Sequence, residues 1–307
     1  MLSVSGEAQR INVALARDKR IGIIGLGRLG AASAEVFQRS GYELVGVSAR
    51  SDASKARAEQ RVPNVPVLSP QEVADRADCV ILTVSDDAIA PVAEEIVAAG
   101  SLQAGNIVVH LSGRCGLEVL ESARKASAIP LACHPAMTFA GTPNDANLLA
   151  SSPFGITALP EHRELAEGFV QAIGGSSTWI AEDKRTMYHA AMVFGANNLI
   201  SLIAVAIQAM AAAGIEDAGS FLAPILRASL ENTIQLGPQA LTGPVRRGDI
   251  GTLHAHIDAL RELKPELIPG YVDFARFTAG MALREELNDA AILQKALVAL
   301  QSEGAPE

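Results

Sequence analysis

Cysteine is scarce in this 307-residue sequence: Cys79, Cys115 and Cys133 are the only three. An odd number with no Cys-x-x-Cys spacing argues against a disulfide scaffold or a zinc site, and fits buried thiols in a reducing cytoplasm. Aromatic residues amount to 4%, too few for a platform on which bases would stack. Positive charge is also short, with 25 Lys and Arg against 34 Asp and Glu and a formal net charge of −9. No basic run is dense enough for a nucleic-acid partner. Carboxylates and histidines nowhere cluster at ligand spacing, so no metal is expected, and His254 and His256 read as helix-surface residues. The first twenty residues lack an apolar core of signal-peptide length. They read as a short extension ahead of a first strand, which argues against export.

Charge is missing altogether from residues 190–215, a stretch long enough to cross a bilayer. Asn197, Asn198 and Gln208 lie inside it, alanine dominates it, and no second such segment exists. A central helix buried on all sides within a helical domain accounts for the pattern, so no membrane is expected.

What the chain does have is apolar bulk, 49% hydrophobic against 19% charged residues. That balance is globular, and the length suits about two domains. The first half alternates β-branched runs with helix-like segments. Candidate strands are Arg20–Gly25, Glu43–Ser48, Cys79–Val84, Asn106–Leu111, Ile129–Cys133 and Phe154–Ala158. Between them, Leu29–Ser40, Ser54–Arg61, Ala88–Ala99 and Leu117–Lys125 read as helices, and a helix over Glu161–Ile173 and a strand over Thr178–Ala181 finish the domain. Near-continuous apolar strands joined by helical crossovers predict a parallel sheet covered on both faces, a doubly wound α/β domain. Beyond Glu182 only helical patterns remain: Asp183–Ala213, Ala218–Gln235, Gly251–Glu262, Leu267–Ala282 and Asn288–Ser302. The expected organisation is a Rossmann-like domain over residues 1–181 and an all-α domain over 182–307. The helical segments are too apolar for one Rossmann domain to cover, which predicts a homodimer.

The stretch "IGIIGLGRLGAASAEVF" (residues 21–37) places Gly25-x-Gly27-x-x-Gly30 between the apolar run Ile21–Ile24 and an alanine-rich helix. A glycine-rich turn alone is a weak signal, and this strand–turn–helix context is what a dinucleotide fingerprint demands. Gly25 would make the tight turn, Gly27 would admit backbone to the pyrophosphate, and Gly30 would let helix and strand pack closely. Gly25, Leu26, Gly27, Arg28, Leu29 and Gly30 thus form a candidate cradle at a helix N-terminus. The second strand ends Ser48-Ala49-Arg50-Ser51, with no acid at its tip. Arg50, helped by Ser48, Ser51 and Lys55, would suit the 2′-phosphate of NADP(H); Asp52 is the one residue against that reading. Val84 and Ser85, after a later strand, would lie beside the cofactor, while Asp86 or Asp87 reads as a helix cap.

His134 directly follows a strand, and open α/β sheets bind ligands beyond the carboxyl ends of their strands. An imidazole there would exchange a proton with a substrate hydroxyl or carbonyl; the plainer alternative is a turn histidine ahead of Pro135. His189, Val193 and Asn197 recur every four residues, which puts His189 and Asn197 on roughly one face of a helix. Arg246, Arg247 and Asp249 would serve a substrate carboxylate or, more simply, a helix-start ion pair.

Taken with the glycine fingerprint, "NIVVHLSGRCGLEVL" (106–120), "IPLACHPAMTFAG" (129–141), "DKRTMYHAAMVFGANNLISLIA" (183–204) and "LTGPVRRGDIGTLHAHIDAL" (241–260) resemble the Rossmann-like plus DUF2520 family of oxidoreductases. The layout is more distantly similar to 6-phosphogluconate, hydroxyacid and prephenate dehydrogenases, ketopantoate reductase and pyrroline-5-carboxylate reductase. "HPAM" looks like the segment that supplies the catalytic histidine of prephenate dehydrogenases, and Ser112 looks like their accompanying serine. Hydroxyacid dehydrogenases and ketopantoate reductases carry a lysine where this chain has His189, which puts a lysine-type mechanism in doubt. The resemblance implies an NADPH-dependent reductase of a small carbonyl compound, a 2-keto acid such as ketopantoate, with its site between the Rossmann domain and the long helix. Two alternatives stand beside it: an imine reductase like pyrroline-5-carboxylate reductase, and a non-catalytic NADP(H)-binding redox sensor.

Overall fold

Seven strands form one sheet in the computed structural model, which describes residues 15–301. Most of the expected N-terminal extension lies outside the described residues. Leu15, at its end, is buried, and its carbonyl accepts the Tyr42 hydroxyl at 2.7 Å. The chain runs β1 (Ile21–Ile24), α1 (Arg28–Arg39), β2 (Leu44–Ser48), α2 (Asp52–Arg61), α3 (Pro70–Arg76), β3 (Cys79–Leu82) and α4 (Asp86–Ala98). It continues with β4 (Ile107–His110), α5 (Glu121–Lys125), β5 (Ile129–Pro135), α6 (Asp145–Ala150), β6 (Pro153–Thr157), α7 (Arg163–Ile173), β7 (Ser176–Trp179) and α8 (Arg185–Met192).

Strand order is β2-β1-β3-β4-β5-β6-β7. The first five strands are mutually parallel, as their apolar runs predict. β6, however, pairs antiparallel to β5, Ala132 opposite Thr157, and β7 is parallel to β6. The expectation of a parallel sheet therefore holds with one exception, because the chain returns from β5 through α6 alone and makes no crossover. Alternate strand side chains supply two cores. Ile23, Val47, Ile81, Val109 and Leu131 meet Phe37 of α1 and Phe169 of α7 on one face, while Ile24, Val80, Leu82 and Val108 meet Val73 of α3 and Ile89 of α4 on the other. All three cysteines are buried free thiols.

Two helices absent from the sequence reading carry local signals. Ser69 and Glu72 form a reciprocal capping box at the start of α3, with Pro70 in its first turn. Asp145 of α6 accepts the Gly141 N–H at 2.8 Å and the Thr142 hydroxyl at 2.9 Å.

The chain divides into two compact units, Met1–Ala196 and Asn197–Glu307. After α8 the helix winds as a π-helix over Val193–Asn198 and resumes as α9 (Leu199–Ala212). The second unit continues with α10 (Ala218–Leu236), α11 (Pro244–Arg247), α12 (Ile250–Leu263), α13 (Ile268–Arg284) and α14 (Ala290–Gln301). Its core is small, centred on Leu253, Ile257, Val272, Ala275, Ala296 and Leu300. The helix over Glu182–Ala212 is long and apolar enough to cross a membrane, and none of its most apolar window is buried. The expectation of a helix buried on all sides is thus corrected: α9 has no buried residue. A single chain leaves these apolar faces without a covering layer.

Candidate functional site

β1 ends at Ile24 and the chain turns at Gly25, whose φ of +98° belongs to the left-handed region. A Cβ there would also stand 2.7 Å from Val84 Cγ1. Gly30 is constrained by packing, since a Cβ would collide with the Gly25 carbonyl oxygen, which accepts the Thr83 hydroxyl. Gly27 is different: nothing lies within 4 Å of its missing Cβ. It caps α1 without a side-chain bond, and the first turn carries no acid. The first N–H groups and the positive end of the helix dipole are therefore open to an anion. Leu26 points into the core, so only its backbone faces this turn, where its carbonyl accepts Arg57 Nη1 at 3.1 Å. Arg28 is exposed and Leu29 half-buried. This cradle fits a dinucleotide pyrophosphate.

The tip of β2 lies beside the turn, because the Ser48 carbonyl accepts the Gly25 N–H at 3.0 Å. Arg50 and Ser51 follow, both exposed. Ser51 is the N-cap of α2, accepting the Ser54 N–H at 3.2 Å.

Beyond the carboxyl ends of β3, β4 and β5 lies a cleft of about 330 Å³, reached from Gly27 and lined by Val84, Asp86, Ser112, His134 and His189. Met137 and Phe139 add an apolar wall. Ser85 does not line it; it is the exposed N-cap of α4 and makes no capping bond. Asp86 and Asp87 do not cap that helix either. They sit in its first turn and pair with Arg114 at 3.4 and 3.3 Å, because the chain enters the helix one residue earlier than the capping pattern suggests.

His134, near the end of β5, sets its Nδ1 2.9 Å from the Tyr188 hydroxyl. The His134 and His189 rings meet edge to face, 6.3 Å between centroids. Gly113 makes that approach possible: a Cβ there would stand 2.7 Å from His189 Cδ2 and 3.0 Å from His134 Nε2. Burial pushes the His134 pKa down to about 4, and the Arg185 charge and His189 add to the shift. The imidazole is neutral at physiological pH.

Behind the cleft, His110 is fully buried and its hydrogen bonds fix its tautomer. Nε2 donates to the Gly116 carbonyl at 2.8 Å, and Nδ1 accepts the Ser112 N–H at 3.2 Å. Burial lowers its pKa to about 4 as well. The Ser112 hydroxyl oxygen accepts the Cys115 N–H at 3.1 Å, which ties this serine into its own loop. Arg185 lies beneath, 1% exposed, donating to Thr157 Oγ1 at 2.9 Å and to the Ser112 carbonyl at 2.7 Å.

Asn197 is exposed and belongs to the second unit. The four-residue spacing that linked it with His189 assumed α-helix throughout, whereas Val193–Asn198 is π-helical and shifts the angular register. Asp249 caps α12 through Thr252, and Arg246 donates to the Leu241 and Leu287 carbonyls, so no helix-start ion pair forms between them. His256 Nδ1 lies 2.7 Å from the Tyr271 hydroxyl. Among the described residues, no group of three or more His, Cys, Asp or Glu side chains is placed to hold a metal.

The sequence reading passes over Arg185, Tyr188 and Gly113. A signal was present for the first two: Arg185, Tyr188 and His189 stand at i, i+3 and i+4, on one face of a helix.

A mostly parallel sheet with a glycine-rich turn at the end of β1, followed by a helical region, defines a Rossmann-like protein of the dinucleotide-binding class. Residues 6–135 match the Rossmann-like domain family and residues 152–278 match the domain of unknown function DUF2520, so the chain joins a Rossmann-like domain to a DUF2520 domain. No curated protein matches it by sequence. Among solved structures it is similar to a candidate NADP oxidoreductase from Bacteroides fragilis, at 22% identity over 85% of this chain and 98% of that one, with a TM-score of 0.73. A reductive aminase from Aspergillus terreus, solved with NADPH and ethyl-5-oxohexanoate, is 19% identical over 90% and 98%, with a TM-score of 0.63. A 1-pyrroline-5-carboxylate reductase from Streptococcus pyogenes is 19% identical over 92% and 100%, with a TM-score of 0.56. At these identities the likeness is one of fold.

Proposed function

We propose that the protein is an NADP(H)-dependent oxidoreductase of the cytoplasm that reduces a small carbonyl compound, a 2-keto acid, with ketopantoate the most specific candidate. The observation that carries this reading is the cleft itself. It begins at the open Gly27 turn and ends on a neutral histidine, His134, with His189 beside it. Bound NADPH supplies a hydride. Residues 1–181 hold it, through the Gly25–Gly30 turn and through Arg50, Ser48 and Ser51 at its 2′-phosphate, with Val84 beside the cofactor in the cleft. His134 delivers the proton, Ser112 supports the loop beside it, and His189 orients the carbonyl. Residues 182–307 form the substrate and dimerisation domain of a homodimer.

The structural likeness to a pyrroline-5-carboxylate reductase and a reductive aminase favours a second reading, reduction of a cyclic imine. A third is a redox sensor that binds NADP(H) without turning it over. NADPH oxidation against a panel of keto acids and cyclic imines separates the three. With the best substrate, His134→Ala lowers turnover ~10²–10⁴-fold, the usual contribution of a general acid, and leaves NADPH affinity near normal. His189→Ala acts mainly on KM, and Asn197→Ala, outside the cleft, changes neither constant. Unchanged constants in both histidine variants would rule out this site, and NADPH binding with no turnover of any compound would favour the sensor.

A further inference from the structure

Among the described residues, the buried Arg185 has no carboxylate in hydrogen-bond contact, Glu182 acting on it only through space: its terminal nitrogens donate to a hydroxyl and a carbonyl, and its Nε has no hydrogen-bond partner. An unpaired buried charge is costly, so its retention calls for a counter-charge at some stage. Tyr188, three residues on, shares its face of α8 and puts its hydroxyl against His134 Nδ1. That ring is held closely, since a Cβ on Gly155 of β6 would stand 2.7 Å from Tyr188 Cζ and Oη. The other imidazole nitrogen, Nε2, lies on the Gly113 side of the cleft.

We propose that Tyr188 and Arg185 complete a proton relay with His134: Tyr188 donates to Nδ1 and so keeps the ring proton on Nε2, and Arg185 balances the phenolate formed during turnover. This rests on the carbonyl-reductase reading above. A phenol is a better proton donor than a neutral imidazole N–H, so the 2.9 Å contact runs from Tyr188 to His134. The charged and titratable groups around the ring are Arg185 and His189 from α8, His110 from β4 and Asp86 from α4. Burial and Arg185 keep the ring neutral, so it is not an imidazolium waiting to discharge. A neutral ring donates from Nε2 without becoming an anion only when Nδ1 gains a proton in the same step.

The step balances as follows. The substrate carbonyl carbon accepts a hydride, with its electron pair, from a reduced nicotinamide dinucleotide, and the C=O π bond opens. The carbonyl oxygen takes the Nε2 proton, Nδ1 takes the phenol proton, and the negative charge ends on the Tyr188 oxygen, where the Arg185 charge acts through space against the burial that raises the Tyr188 pKa. After the alcohol leaves, Nε2 takes a proton from water, which departs as hydroxide to the solvent, and Nδ1 returns its own to the phenolate. Tyr188 and Arg185 are positioning residues here, because neither touches substrate.

The test is nitrogen NMR of histidine side chains in the full chain with NADP⁺ bound, read beside steady-state kinetics. Nδ1 of His134 is expected to appear as an unprotonated, hydrogen-bonded nitrogen near neutral pH, and to lose the hydrogen-bond shift in Tyr188→Phe. That variant is expected to lower kcat by ~10²-fold or more at nearly unchanged KM and NADPH affinity. A protonated Nδ1, or an unaltered kcat in Tyr188→Phe, overturns the relay even where carbonyls are reduced. A hydrogen-bonded Nδ1 in a protein that reduces no carbonyl overturns the reductase reading instead, and the catalytic use of the relay with it.

Discussion

His110 and His134 are both held neutral by burial, with pKa values near 4 where an ordinary histidine has 6.5. The unfolded chain protonates both near 6.5, so between there and about 4 it binds more protons than the native state. Their contribution to stability is therefore complete above 6.5 and is lost as pH falls towards 4. The expected outcome is a urea midpoint that drops steadily through that window and drops less in His110→Asn. A midpoint flat across it would contradict the burial argument. Asp78 and Asp145, held below the usual carboxylate range by hydrogen bonds, act only at more acid pH. Arg50 tests the other end of the site. Its charge would meet the 2′-phosphate in a bond worth ~1.5–3 kcal/mol, so Arg50→Glu should weaken NADPH binding by about tenfold or more and NADH binding far less. Fluorescence titration of both cofactors decides this, and equal losses would show that the β2 tip is not the phosphate site.

At the scale of elements, the cradle depends on how closely α1 approaches β1 and β3. Gly30→Ala would place a methyl group against the Gly25 carbonyl and the Thr83 side chain. Overpacking of this kind costs roughly 1–3 kcal/mol and displaces the backbone around it. Denaturant unfolding should report that loss, and NADPH titration should report weakened binding, since the displaced turn is the one proposed to meet the pyrophosphate. An alanine variant with normal stability would mean that α1 has room to shift. The π-helical turn Val193–Asn198 works the other way. It changes which residues follow His189 along the helix face, an effect that counting by fours does not anticipate.

At the scale of the whole molecule, apolar side chains in the helical unit remain uncovered, among them Ile200, Phe221, Ile225 and Ile234, each more than 60% exposed. Faces of this extent belong against another apolar surface, and in the proposed homodimer a second copy of the chain would supply one. Light scattering at micromolar concentration should therefore report about twice the 32.0 kDa chain mass, and substituting glutamate for Phe221 and Ile225 together should shift it towards the monomer. A mass near 32.0 kDa for the unaltered protein would leave the exposed faces in need of another explanation.

The Rossmann half was legible in the sequence because its signals are local. β1, the Gly25–Gly30 turn and α1 follow one another within nineteen residues that begin "IGIIGLGRLGAASAEVF", and the buried parallel strands β1, β3 and β4 read as plain apolar runs. His134 and His189 were found in the same way, one from its place after an apolar strand and the other from its place on a helix. Antiparallel β6 was not legible, since strand direction depends on the path of the connection and not on the strand's own residues. Nor was the exposure of α9, because hydrophobicity states that a face must be covered and leaves open by what. Tyr188 against His134, and Arg185 beneath both, join residues about fifty positions apart in the chain. Burial and neutral charge at His134 arise from such meetings, so only the tertiary structure decided the chemistry available to it.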